Sequence, residues 1–321
     1  MDDRAVALLD RYDMTVLRTW KGRGAILCDT EQGLKILKEY HSTKEQLERQ
    51  HRVLMQLQEL GLHGIEQILQ TKEEELSTKD YNDISYIVKD YWDGRECNVK
   101  ELEQCMIGMQ AMAHFHKVSL RIDSTTILEQ PNTLNKEVEK HNKELKKILQ
   151  YLRKKSQKSD FEVFFLHHYQ TFYEKALMVQ EEVETIDWKI PYTYCHGDFQ
   201  YHNVLIKGLE SYLINLEKIH MDNRVKDISL YMRKVLEKQG WSMEVGKKLL
   251  DAYEVITPLS KQEYQQLYYR FAYPEKFWKI ANYYFNSGKA FVSVRNRDKL
   301  EKLLNNQSDA QQFMNSLYKL I

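Results

Sequence analysis

The sequence predicts an α+β protein of two lobes, a small β-rich N-lobe over residues 1–92 and a large helical C-lobe over residues 93–321. Three observations carry that prediction. Short strand-like runs crowd roughly the first 90 residues, apolar residues switch to helical spacing from Asn98 onward, and a β island at 192–217 interrupts the helices. A chain of 321 residues is long enough for two modest lobes.

The N-lobe strands are expected at 15–19, 24–28 and 34–38, separated by glycine and polar turns, with a further strand pair ending in the run 84–91. One helix interrupts them. Ser42 and Glu45 have the spacing of a capping box, and Leu47, Leu54 and Leu57 continue on one helical face until Gly61. Beyond Asn98, the residues Leu102, Met106, Met109 and Met112 recur at helical spacing, and residues 132–182 are charged and helical. The lysine-rich stretch 143–158 reads as a solvated face. After Asp227 the chain is helical again. Leu267 with Phe271, then Phe277, Ile280 and Ala281, form two amphipathic stripes broken at Pro274.

Composition excludes several functions. Acidic and basic residues number 47 each, so no overall field recruits nucleic acid or an anionic membrane. No stretch approaches the roughly 20 apolar residues of a membrane span, and the expectation is a soluble protein made on the cytoplasmic side. The four cysteines lack the close spacing of a zinc site or disulfide framework and read as buried thiols.

Chemistry concentrates in the β island. Phosphoryl transfer needs a group that orients or deprotonates the attacking hydroxyl, oxygen ligands for Mg²⁺ and a cation on the phosphates. Asp198, held on a loop by Gly197, is the candidate base, and Asn203 offers an amide oxygen to a metal from the end of that loop. An Asp followed five positions later by Asn matches the catalytic loop of protein kinases, but alone it equally describes a loop Asp capping a turn. The preceding His196-Gly197 and the flanking strands favour the catalytic reading.

The run from His196 to Asn203, His-Gly-Asp-Phe-Gln-Tyr-His-Asn, resembles the catalytic-loop motif of the aminoglycoside phosphotransferase and choline kinase superfamily. With the strand around Lys38, the Trp92-Asp93-Gly94 stretch, the helix ending at His116 and the tail around Tyr273-Pro274, the chain is similar to the CotS-like spore-coat proteins within that superfamily. The resemblance implies a protein-kinase-like bilobal fold of the aminoglycoside phosphotransferase type. It places Lys38 at the strand lysine that contacts nucleotide phosphates and Val88, Lys89, Asp90 and Tyr91 at the hinge that holds adenine through backbone bonds. Asp198 falls at the base, Asn203 at a metal ligand, and His196 and Asp227 at positions that support the loop.

Two departures follow. The superfamily's metal-binding Asp aligns with Asn215, twelve positions before Asp227, and an amide removes the full charge that Mg²⁺ favours. Glu217 lies two residues further on and, on a strand, shares a face with Asn215, where it is a weak substitute ligand. The helix glutamate that pairs with the strand lysine aligns with Gln50, so a hydrogen bond to Lys38 would replace an ion pair. The implied function is a spore-coat or coat-assembly protein with a kinase-like fold, catalytically weak or a pseudokinase. The alternative is an active ATP-dependent kinase, requiring ATP and Mg²⁺, that phosphorylates a small-molecule or protein hydroxyl. The resemblance further implies other coat proteins as partners, a nucleotide or small-molecule ligand, and location in the spore coat after synthesis in the mother-cell cytoplasm.

Overall fold

The structure is a computed structural model, described over residues 6–22, 24–122, 133–286 and 293–321. The chain divides into two compact units: Met1–Ile127 with His196–His220, and Leu128–Cys195 with Met221–Ile321. The boundary expected near residue 92 falls inside the first unit.

The first unit opens with a 3-10 segment, Ala7–Arg11, and strands β1 (Val16–Gly22), β2 (Ala25–Thr30) and β3 (Gly33–Glu39). Helix α1 (Lys44–Glu59) and strands β4 (Thr78–Lys79), β5 (Ser85–Asp90) and β6 (Arg95–Glu96) follow, then helix α2 (Leu102–Ser119). β1 to β5 form one sheet in the order β1-β2-β3-β5-β4. Ile26, Cys28, Leu37, Tyr86 and Val88 cover one sheet face and pack under Leu8, Leu9 and Tyr12. Register decides the other face, because Ile36 pairs with Lys89 and Lys38 with Ile87, so both lysines project to the same side.

The capping box of α1 sits one residue later than expected. Thr43, in extended backbone, accepts from the Gln46 N–H at 3.3 Å, while Gln46 Oε1 accepts from the Thr43 N–H at 3.3 Å. Ser42 and Glu45 have the same spacing and side-chain chemistry, and the backbone turn at Thr43 selects between the two.

The second unit contributes helices α3 (Leu134–Lys154) and α4 (Asp160–Glu184) and strand β7 (Thr193–Cys195). The chain then returns to the first unit for β8 (Val204–Lys207) and β9 (Glu210–Leu213), which join β6 in a three-stranded sheet. Strand β10 (His220–Asp222) leads back to helices α5 (Val225–Leu236), α6 (Met243–Glu254), α7 (Lys261–Ala272), α8 (Glu275–Asn286), α9 (Ser293–Asn305) and α10 (Gln307–Tyr318). Pro274, lacking an N–H, separates α7 from α8 as expected. Phe277 lies in the core between two rings of α4, stacked on Phe165 at 4.6 Å and on Phe172 at 4.4 Å. A fully buried Phe is worth about 1.5–3 kcal/mol, with about 0.5–1.5 more for favourable ring pairs. All four cysteines are buried. Among the described residues no helix is long and apolar enough to cross a membrane.

Candidate active site

Every group of the predicted centre except Asp227 belongs to the first unit. The loop between β7 and β8 is tied down by its own short-range bonds. Gly197 has φ +79, and a Cβ there would collide with the Lys218 carbonyl and lie 2.8 Å from His220 Nδ1, so glycine is required. The Asp198 N–H donates to His196 Nδ1 at 3.3 Å, which leaves Nε2–H of this buried ring to donate to the Ile214 carbonyl at 3.0 Å. Asn203 Nδ2 donates to the Asp198 carbonyl at 2.7 Å and closes the loop.

The Asp198 carboxylate already has two donors. Lys218 Nζ lies 2.7 Å from Oδ2, and Gln200 Nε2 donates to Oδ1 at 2.6 Å. Burial pushes this carboxyl up, but the bonds from Lys218 and Gln200 outweigh it and hold Asp198 below the usual carboxylate range. It is ionised at neutral pH, as a base must be.

Asn215 stands in left-handed backbone, φ 62 and ψ 49, a region that Asn enters more readily than most residues. From there Leu216–Lys218 forms a 3-10 turn rather than a strand. The alternation expected to place Asn215 and Glu217 on one strand face therefore does not apply. The N–H groups of Asn215 and Leu216 both donate to the Glu66 carboxylate, at 2.9 and 2.8 Å.

Four side chains, Lys38, Asn203, Asn215 and Glu217, then meet at the cleft wall. Asn215 Nδ2 donates to Asn203 Oδ1 at 2.9 Å, and Lys38 Nζ donates to Asn215 Oδ1 at 3.1 Å and to Glu217 Oε1 at 2.9 Å. Lys89, wholly buried, bridges Glu66 and Glu217 at 2.8 Å each. Burial opposes the Lys89 ammonium, yet the two carboxylates outweigh it and raise its pKa. Burial likewise opposes the Glu217 carboxylate, but Lys89 and Lys38 prevail and bring it down to about 2. Lys38, Asn203, Asn215 and Glu217 line a cleft of about 640 Å³ whose apolar wall includes Ala25, Leu27 and Ile36.

The hydrogen bond expected between Gln50 and Lys38 is not made. Gln50 is buried, and its amide has no hydrogen-bond partner among the described residues. Its expected role passes to Glu217. Of the proposed hinge, Tyr91 borders the cleft, while Val88 is core. The Asp90 and Tyr91 N–H groups donate to the Gln67 and Leu34 carbonyls, and the Val88 carbonyl accepts from Leu69. The Asp90 side chain pairs with Lys35 at 2.7 Å. Asp227 lies buried in the first turn of α5, in the second unit. Cys195 is fully buried, which pushes its thiol up and removes it as a nucleophile.

Sequence reasoning missed Glu66, the side chain of Lys89 and Lys218. A signal existed for Glu66, a lone charge among Ile65, Ile68 and Leu69 that needs a partner, whereas Lys89 is followed directly by Asp90, which masks it in the sequence. Lys218 carried no such signal.

The donor set fits Mg²⁺ poorly. The two amide oxygens at the positions expected to hold a metal, Asn203 Oδ1 and Asn215 Oδ1, accept from Asn215 and Lys38, and the nearby carboxylate of Glu217 already serves two lysines. Three ammonium groups, Lys38, Lys89 and Lys218, face three carboxylates, Glu66, Glu217 and Asp198, so little negative charge remains for a hard dication.

Fold and loop together define the class: the protein has the kinase-like fold of aminoglycoside phosphotransferases. It matches an aminoglycoside phosphotransferase from Alicyclobacillus acidocaldarius with a TM-score of 0.84 at 17% identity, covering 98% of this chain and 95% of that one. Spectinomycin phosphotransferase APH(9)-Ia, solved with ADP and spectinomycin, matches with a TM-score of 0.70 at 13% identity, covering 98% and 97%. The chain belongs to the family described as spore coat putative kinase YutH, whose profile matches residues 6–317. It is similar to Spore coat protein S of Bacillus subtilis (strain 168), 25% identical over 311 residues that span 93% of this chain and 88% of that one.

Proposed function

We propose that this chain is a spore-coat or coat-assembly protein whose kinase-like cleft binds a nucleotide and transfers phosphate weakly or not at all. The observation that carries the reading is Asn215, an amide where the fold's phosphotransferases place a metal-binding Asp, bonded to Asn203 and to Lys38. Mg²⁺ normally bridges the phosphates and neutralises charge developing in transfer, and this donor set holds it poorly. Asp198 is oriented and ionised, which supports a retained base beside a weakened metal site. The nucleotide assignment draws on the ADP of the spectinomycin phosphotransferase structure and on Lys38 at the cleft wall. The coat role draws on the family and on Spore coat protein S.

Nucleotide titration with and without Mg²⁺, followed by steady-state ATP turnover, tests the reading. Wild type should bind nucleotide with little dependence on Mg²⁺ and turn over little. Asn215→Asp should tighten Mg²⁺-dependent binding about tenfold, or ~1.4 kcal/mol, and raise turnover. Steady wild-type turnover that disappears in Asp198→Ala would establish an active kinase instead. Uniform signal from a fluorescent fusion in vegetative cells, with none at the spore surface, would count against the coat role.

A further inference from the structure

Two exposed stripes of opposite charge lie side by side in the second unit. On α3, Lys136, Lys140 and Lys147 fall within about 40° of one another at ~100° per residue, opposite the buried Val138, Leu145 and Leu152. On α4, Glu174, Glu181 and Glu184 fall within about 80°, opposite the buried Phe172 and Val179. Lys175 is the only lysine or arginine of α4 and points about 100° away from Glu174. The acids of α3 are engaged elsewhere, Glu137 with Arg270, Glu139 with Lys143 and Glu144 with Trp278 Nε1. Among the described residues none of the six stripe residues enters an ion pair. Glu174 and Glu184 accept from the neutral amides of Gln170 and Gln180, each at 2.7 Å, which leaves their charges uncompensated.

Asn142 fixes the register of the two helices. Its Nδ2 donates to the Ala176 carbonyl at 3.1 Å and to Gln180 Oε1 at 2.8 Å, so Asn142 lies level with the turn 176–180. Leu134 and Val138 pack with Val179 and Val183, and Leu145 and Leu152 with Phe161 and Phe165, so the helices run antiparallel. Counted outward from Asn142 at about 1.5 Å per residue, Lys136 comes level with Glu184, Lys140 with Glu181 and Lys147 with Glu174, each to within about one residue. Each stripe lies about 90–140° past the Asn142–Gln180 contact in the helical sense. Because the helices are antiparallel, these turns carry both rows to the same side. Met178, 59% exposed, stands beside Glu174 and Glu181 and gives the face an apolar centre.

We propose that this face binds a second copy of the chain in a two-fold dimer, with Lys136, Lys140 and Lys147 of each copy on Glu184, Glu181 and Glu174 of the other. A two-fold axis parallel to the helices lays each positive row on the negative row of the other copy, and such an isologous contact closes on itself. Single surface ion pairs are weak, but the symmetry doubles every pair along the rows. The other face-to-face two-fold, α3 on α3, sets like charges together and is disfavoured. A polyanion or a flat anionic surface on the lysines would meet the glutamate row one helix spacing away, about 8–10 Å, whereas a second copy satisfies both rows.

Sedimentation equilibrium of the full chain at low and high salt tests the contact. A dimer should form at about 50 mM NaCl, and its dissociation constant should rise about tenfold at roughly 500 mM, where screening shortens the reach of exposed charges. Lys136→Glu with Lys140→Glu and Lys147→Glu should give a monomer, and so should Glu174→Lys with Glu181→Lys and Glu184→Lys. Both triple variants should keep the wild-type circular dichroism, since all six side chains are exposed. Mixed in equal amounts, the two monomeric variants should pair, because one then carries two acidic rows and the other two basic rows. A wild type that stays monomeric at low salt, a dimer that either triple variant leaves intact, or a mixture that fails to pair would each overturn the proposal. So would a lysine row that binds anionic vesicles while the chain stays monomeric.

Discussion

Lys89 Nζ lies 2.8 Å from Glu66 Oε1, and both side chains are only 1% exposed. Glu66 also accepts the N–H groups of Asn215 and Leu216, so one carboxylate sets both the buried lysine and the turn that carries Asn215. Breaking a buried ion pair by removing one partner leaves an uncompensated charge. Glu66→Ala should lose about 3–5 kcal/mol, read as a lowered urea midpoint at unchanged m-value.

Acid should act through Glu217. Its carboxyl is held at about 2 in the folded protein against an ordinary 4.5, because Lys89 and Lys38 outweigh the cost of burial. A depressed folded pKa contributes stability that is present in full above the unfolded value and lost as pH falls through the folded one. The stability gap between wild type and Glu217→Gln should therefore be widest above about pH 4.5 and narrow steadily toward pH 2. Urea titrations across that range measure it, and a gap independent of pH would contradict the network.

Gln50 is buried with neither amide atom bonded among the described residues. An unsatisfied buried amide costs about 1–3 kcal/mol. Gln50→Leu should consequently stabilise the protein, by about 1 kcal/mol after allowance for shape mismatch, seen as a raised melting temperature.

Gly197→Ala should do the reverse. Left-handed backbone costs a residue with a Cβ roughly 1–2 kcal/mol, and here the added carbon also meets the Lys218 carbonyl and His220. Moving that segment loosens the Lys218–Asp198 pair, so the variant should show faster amide exchange at 197–203 along with its lower melting temperature.

The sheet strands, the break at Pro274 and the Asp198–Asn203 loop were legible because each rests on neighbours a few residues apart. Alternating burial marks β3, the missing N–H of proline ends a helix, and a loop spacing is a local geometry. The capping box shows where local chemistry is ambiguous, since Ser42 with Glu45 and Thr43 with Gln46 satisfy the same rule. The strand alternation extended to Glu217 failed because Asn215 turned left-handed, which Asn tolerates but does not require.

By itself the sequence determined strands β1, β2, β3 and β5, the catalytic-type loop and the amide at position 215, for these depend on residue identity and short spacing. Only the tertiary structure decided which charges meet. Lys38 reaches Glu217 across 179 residues, Lys89 reaches it across 128, and Glu66 is brought to Asn215 across 149. A buried charge is tolerated only beside its counter-charge, and the approach of distant segments selects that partner. The position of Asn215 was therefore readable in one dimension, while its bonds to Asn203 and Lys38 required three.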